Sequence, residues 1–228
     1  LARTYGALFD FLDVERVEVL RGPQGTLFGR NTPGGAVLVT TARPGEDWSG
    51  LVDIGYGRFN EVLARGTVGG PIVADRLSAS VSALHRRRDG TSQAPNIGRD
   101  VNRRDLTSVR GQLLFNPTER IELRLLGDRT WDDSDAFVPT DAFAGRPANL
   151  FVTGANEDPT ARFRTGGVSL TATIDLGQVS IGSITAWRDL YQEALLDNDG
   201  EVRRLSAQGL VATQNQLSHL VAPTLTKN

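Results

Sequence analysis

The sequence predicts an all-β chain whose larger part is a stretch of transmembrane antiparallel β-barrel, incomplete as a barrel. Three observations carry that prediction. From Trp48 onward, segments of about ten residues alternate apolar and polar side chains, the pattern of strands with two different faces. The connections between those segments alternate between short and long. No run approaches the roughly 18 consecutive apolar residues that a membrane helix needs, which excludes a helical membrane protein and leaves a barrel open. Twenty-five glycines beside 39% hydrophobic residues suit a chain of many strands and turns.

Residues 1–47 read differently from the rest. Val14 to Leu20 mixes β-formers with charges, with Val17 and Val19 on one strand face and Arg16 and Glu18 on the other. A dense Gly/Pro stretch follows, from Gly22-Pro23-Gln24-Gly25 to Pro33-Gly34-Gly35. It is interrupted by Thr26-Leu27-Phe28, long enough for one helical turn, so this part is expected to be a small α/β remnant. Ala36 to Thr41 reads as a short buried strand; Arg43-Pro44-Gly45 breaks it, and Glu46-Asp47 is the expected linker.

The expected strands then follow in order. Val52, Ile54 and Tyr56 oppose Asp53, Gly55 and Gly57. Leu77, Ala79, Val81 and Ala83 oppose Ser78, Ser80 and Ser82. Val109, Leu113 and Phe115 oppose Ser108, Arg110 and Gln112. Ile121, Leu123 and Leu125 oppose Glu122 and Arg124, and Val168, Leu170, Ala172 and Ile174 oppose Ser169, Thr171 and Thr173. Val62 to Gly70 and Val179 to Arg188 are weaker cases, and an eighth strand is placed near Leu205 to Leu217.

Short connections at Gly70–Arg76, Asn116–Glu119 and Asp175–Gln178 alternate with long polar ones at Arg86–Arg104 and Asp132–Thr160. The short turn near Asn60 stands where a long loop is expected. Short turns inside and long loops outside are the habit of outer-membrane barrels. Alternating strands also build soluble sandwiches and lipocalin-like barrels. Two features favour the membrane: one set of faces is Ser, Thr, Arg and Glu, as a wet lumen allows, and the other carries almost no charge. A lipid-facing Arg at the bilayer midplane costs ~2–4 kcal/mol.

Residues 15–41 read ERVEVLRGPQGTLFGRNTPGGAVLVTT. In order and spacing, Val19-Leu20-Arg21-Gly22-Pro23, Leu27-Phe28-Gly29 and Asn31-Thr32-Pro33-Gly34-Gly35-Ala36-Val37 resemble the end of the plug domain of TonB-dependent outer-membrane receptors of the siderophore-receptor type. The resemblance continues less distinctively to about Ser218. It implies a division into residues 1–47, the C-terminal part of a plug, and residues 48–228, the first seven to eight strands of a barrel, with 219–228 a divergent tail. It makes Arg21, Gly22, Pro23, Gly29, Asn31, Gly34 and Gly35 structural plug-motif residues. It also implies that Arg21 pairs with a barrel carboxylate; a solvated Arg at a strand end is the plain alternative.

Further implications concern the intact parent. It resides in the bacterial outer membrane as a monomer, in contact with outer-membrane lipid. It takes up a ferric siderophore or another scarce small solute, driven by the TonB energy-coupling complex through a segment outside this chain. The alternatives are a passive pore or structural barrel protein, a truncated product without function, and a soluble sandwich with a Gly-rich ligand loop. With no Met, an absent signal peptide and seven or eight strands where the family has about 22, the chain is expected to be a fragment. A break in the reading frame is expected near His219, where the family's pattern stops and the single Lys, Lys227, follows.

Chemistry is not expected. Cys is absent, so there are no disulfides or thiolate sites, and 25 basic against 27 acidic residues give no nucleic-acid footprint. Gly22 to Gly35 lacks G-K-[ST], and Gly55-Tyr56-Gly57 lacks the third glycine of a dinucleotide fingerprint. Asp132-Asp133-Ser134-Asp135 and Asp197 to Glu201 miss the EF-hand spacing and read as outer loops. No nucleophile, base and orienter set emerges around His85 or His219, so no enzyme and no cofactor are expected. Arg86 to Arg88 and Arg103-Arg104 flank one long loop and suit an anionic chelate, lipid phosphates or plain solvation. Trp131 and Trp187, near strand ends, read as interfacial girdle residues.

Overall fold

In the computed structural model, residues 12–25, 32–138, 151–196 and 214–220 are described. Two strands, β1 (Val14–Arg21) and β2 (Gly35–Thr41), form an antiparallel hairpin of their own, in register from Arg16↔Thr40 to Arg21↔Gly35. The remaining long strands form one antiparallel sheet. They are β3 (Ser49–Gly57), β4 (Glu61–Val73), β5 (Leu77–Arg88), β8 (Arg104–Thr118), β9 (Ile121–Asp132), β10 (Ala161–Asp175), β11 (Ser180–Leu196) and β12 (Gln214–Leu220). Each pairs with its neighbour along the chain, except that a three-residue hairpin, β6 (Ser92–Ala94) with β7 (Arg99–Val101), interrupts β5 and β8. The edges, β3 and β12, do not pair with each other, so the sheet is an open arc.

The sheet is inside-out for a water-soluble protein. One face carries Val52, Ile54, Tyr56, Val68, Val81, Leu113, Phe115, Leu125, Val168, Leu170 and Trp187, all exposed. The opposite face holds buried Ser80, Ser82, Ser108, Gln112 and Thr165. A barrel wall has this arrangement, with lipid on the apolar face and a polar lumen behind. On β10 the apolar side runs from Ile174 to Gly166. Eight steps at ~3.3 Å, tilted by about 40°, span roughly 20 Å of membrane, close to the ~25 Å apolar band of such barrels. Trp131 and Trp187 lie on that apolar face near its outer end. His85 is there too, its Nδ1 2.9 Å from Thr107 Oγ1.

Several expectations need correction. Ala36 to Thr41 is a strand but not a buried one: Val37 is 64% exposed, because among the described residues nothing packs over the face it shares with Val17 and Val19. The helical turn expected at Thr26 to Phe28 lies outside the described residues, as do Asp197 to Glu201. β4 continues through Gly69-Gly70-Pro71 to Val73, with a bulge after Pro71 that tolerates its missing N–H. β10 begins at Ala161, seven residues before its apolar alternation does. The eighth strand is shifted to Gln214–Leu220, beside Leu190 to Leu196 of β11. The turn at Asn60 is tight, with left-handed φ at Phe59 and Asn60.

Candidate functional site

The hairpin stands on the polar face of the sheet by its base. Leu12, only 5% exposed, offers its carbonyl to Arg110 Nη1 at 2.9 Å. At the other leg of the base, Gln112 Nε2 donates to the Ala42 carbonyl at 2.9 Å and reaches Asp13 Oδ2 at 3.4 Å. The two legs are tied to each other by Ala42 N donating to Asp13 O at 2.8 Å. Arg124 completes the seam, donating to Gln112 Oε1 at 2.6 Å and to Thr41 Oγ1 at 2.9 Å. Arg43 reaches both Glu122 oxygens at 2.9 and 3.1 Å.

Gln112 is the hub. It lies 3% exposed, both ends of its amide are used, and its orientation is set by the Ala42 carbonyl and the Asp13 carboxylate on one side and a guanidinium on the other. Losing either partner set leaves a buried polar group unmet, at ~1–3 kcal/mol. Asp13 takes a left-handed φ of 55°, which Asp tolerates better than most residues. Burial pushes its carboxyl above the usual carboxylate range, against the opposing pull of Arg110, a hydrogen bond from Ser82 and Arg124.

The residues expected to matter sit at the other end of the hairpin. Arg21 is exposed at the end of β1, opposite Gly35, and no carboxylate among the described residues pairs with it. Among the described residues, a plug-to-sheet carboxylate pair is Arg43–Glu122. Gly22 has φ 84°, and Gly35 has φ 136°, where a Cβ would stand 2.3 Å from the Leu20 carbonyl oxygen; both positions need glycine. Pro23 and Gly34 flank the turn, which Gln24 N closes onto Thr32 O at 3.0 Å. Gly29 and Asn31 lie outside the described residues. Sequence reading placed Arg110, Gln112, Glu122 and Arg124 on a polar face without singling them out. Their partners lie 70 to 99 residues away, and no local pattern reveals such a separation.

Higher on the same strands, Arg and Asp side chains brace the wall. Gly166 and Gly167 of β10 lie between Asp128-Arg129 of β9 and Arg188-Asp189 of β11. Arg129 bridges to Asp189 at 2.7 Å across Gly166 on the apolar side, and Arg188 bridges to Asp128 across Gly167 on the polar side. Arg86 and Arg88 also stand on the polar face. Arg86 pairs with Glu61 at 3.3 Å, and Arg88 Nη2 donates to the Asn102 carbonyl at 3.0 Å. The Asp132-Asp133-Ser134-Asp135 run is taken up by protein: Asp133 by Arg164, Asp135 by Arg99, and Asp132 by Ser134.

An open sheet with an apolar outer face, and a Gly-bearing hairpin seated on its polar inner face, defines the class: a plugged outer-membrane barrel. Residues 2–36 match the family model of the TonB-dependent Receptor Plug Domain. The chain is 28% identical to the pesticin receptor of Yersinia pestis over 192 residues, 78% of this chain and 27% of that protein. It is 38% identical to the ferrioxamine B receptor of Salmonella typhimurium over 77 residues, 33% of this chain and 11% of that one. Among solved structures, the ferric yersiniabactin uptake receptor of Yersinia pestis superposes with a TM-score of 0.72 at 25% identity, over 82% of this chain and 30% of that one. The siderophore receptor of Acinetobacter baumannii shares the fold, with a TM-score of 0.67 at 14% identity, over 80% of this chain and 27% of that one. The chain is thus similar to TonB-dependent outer-membrane receptors in its plug segment and in its sheet, and spans 27% of the length of the first of these relatives.

Proposed function

We propose that the parent of this chain actively imports a ferric siderophore, or a similarly scarce solute, across the outer membrane, and that this chain supplies the end of its plug and the first strands of its barrel. The observation that carries the reading is the seam: a plug-type hairpin held by its base on the lumen face of a membrane barrel wall. Such a hairpin closes a pore that would otherwise leak, and a closed pore needs energy to pass a solute. We place the handover from plug to barrel near Glu46 to Trp48, between residues 1–47 and 48–228. The names of two similar proteins, a ferrioxamine B receptor and a ferric yersiniabactin uptake receptor, support a receptor for an iron chelate. Coupling to the inner-membrane energy source through a TonB-contacting segment goes with the plug-domain match. Arg21, Gly22, Pro23, Gly29, Asn31, Gly34 and Gly35 are the residues proposed to shape the plug.

The test is uptake of radiolabelled ferric chelates by cells carrying the full-length gene, with and without an uncoupler. Uptake that stops when the proton-motive force is collapsed supports active import. Uptake indifferent to the uncoupler makes the protein a passive pore.

A further inference from the structure

Two of the outer connections between β3 and β10 are long and polar, the composition of mobile loops, yet their described parts are knitted to each other and to the tight β3–β4 turn. The first knot joins the β3–β4 turn to the segment after β5: Asp89 N donates to Phe59 O at 2.9 Å, and Asn60 Nδ2 to Asp89 Oδ2 at 2.7 Å. The same turn reaches the β9–β10 connection. The Arg58 guanidinium lies 5.0 Å from the Phe59 ring and 5.8 Å from the Phe151 ring, and the two rings are 6.3 Å apart.

The second knot joins the β6–β7 hairpin to the β9–β10 connection. Gln93 N donates to Phe151 O at 2.7 Å, Thr153 N returns a bond to Gln93 O at 2.9 Å, and Asn96 Nδ2 donates to Gly154 O at 2.9 Å. Beneath them lies a small core of its own: Val101 and Ala155 fully buried, with Ala94, Val138 and Ile97. The third knot is ionic. Asp135, its side chain 2% exposed, takes Arg99 at 2.9 and 3.2 Å, and Arg99 also holds Asp158. Hydrogen bonds to Asp135 hold the Arg99 guanidinium above its ordinary range. Arg103 N donates to the same Asp135 carboxylate at 3.0 Å, and Asp135 N donates back to Arg103 O at 2.9 Å.

We propose that the described parts of these three consecutive outer connections form a single preformed rigid body, a fixed wall of the outer vestibule that neither opens nor closes. Resting on the import reading, this leaves any closure over a bound solute to other outer segments of the parent. Loops with their own buried core and a buried, doubly tied carboxylate lose that order together. Arg99 is the positioning residue, because it touches both connections at once and its loss leaves Asp135 buried beside Arg103 alone.

The test is hydrogen exchange on the full-length receptor without ligand, so it stands apart from whether the protein imports anything. The amides of Thr91, Gln93, Asp135 and Thr153 are expected to be protected in the wild type. Arg99→Ala is expected to speed exchange in both 89–103 and 151–158 by the same factor, tenfold or more, while Leu123 to Leu125 stays unchanged. Acceleration confined to 99–103, or free exchange at these amides in the wild type, overturns the proposal. A second arm needs no destabilised variant. Gln93→Cys with Val152→Cys, at the parallel bridge between the two connections, is expected to close a disulfide on mild oxidation and leave the exchange pattern unchanged. Failure to close it overturns the proposal as well.

Discussion

Gly167→Ala is the sharpest perturbation the wall allows. A Cβ there would stand 2.6 Å from Arg188 Cγ and 2.6 Å from the Trp187 carbonyl oxygen. The first contact is the stem of a side chain engaged with Asp128; the second is backbone of the β10–β11 ladder. Relief therefore needs Arg188 to leave Asp128, the ladder to open, or both. Overpacking of this kind costs ~1–3 kcal/mol. Stripping the Asp128 carboxylate, whose side chain is 10% exposed, of its partner adds about 1 kcal/mol or more. The sum is about 2–4 kcal/mol. The control is Gly182→Ala, one strand over, where a Cβ meets nothing within 4 Å. Restricting the unfolded chain there is worth about 0.4–1 kcal/mol in the stabilising direction. Urea unfolding of the refolded full-length receptor, followed by the gel shift of the closed barrel, reads both. Equal midpoints for the two variants would refute the argument that the glycine pair exists to let the ion pairs cross.

Three further outcomes follow from the seam. Arg124→Ala leaves Gln112 Oε1 and Thr41 Oγ1 without their donor and should loosen the hairpin by ~1–3 kcal/mol, read as faster proteolysis of the plug; unchanged proteolysis would count against the seam. Arg43→Ala breaks a pair that is largely exposed and should change stability by less than about 1 kcal/mol in the same assay; a larger effect would mean that Arg43 does more than pair with Glu122. Asp13→Asn tests the raised carboxyl. A carboxyl whose folded pKa is raised holds its proton more tightly when folded, so wild-type stability falls as pH rises from the ordinary value of 3.8 through the raised one. The variant should therefore be the more stable near neutrality and lose that advantage below pH 3.8. Parallel stability curves would remove burial as the cause.

The alternating faces were legible because each strand carries its own period. Leu77 to His85 and Ile121 to Asp128 need no partner to be read. The register between strands was not written locally, and neither were its consequences. The expected strand began only at Val168, whereas β10 runs through the Gly166-Gly167 pair that precedes it. In three dimensions that pair is the gap through which Asp128-Arg129 and Arg188-Asp189 reach each other, and the mirrored dipeptides are the trace it leaves in the sequence. Ser92–Ala94 and Arg99–Val101 are too short to show a period at all. At the seam, Arg21 attracted attention because it sits in a motif. Arg43, beside the proline that follows β2, carries the pair with Glu122 because the base of the hairpin docks on the sheet.

The central claim is that one face of this sheet meets lipid and the other a plugged lumen. Single spin labels at Leu123, Leu125, Val168 and Leu170, and at Ser169 and Thr171, in the full-length receptor in outer-membrane vesicles test it directly. Oxygen, which concentrates in lipid, is predicted to relax the first four labels strongly and the last two weakly. Labels that respond to a water-soluble nickel chelate on both faces, or an alternation of the opposite sense, would contradict it.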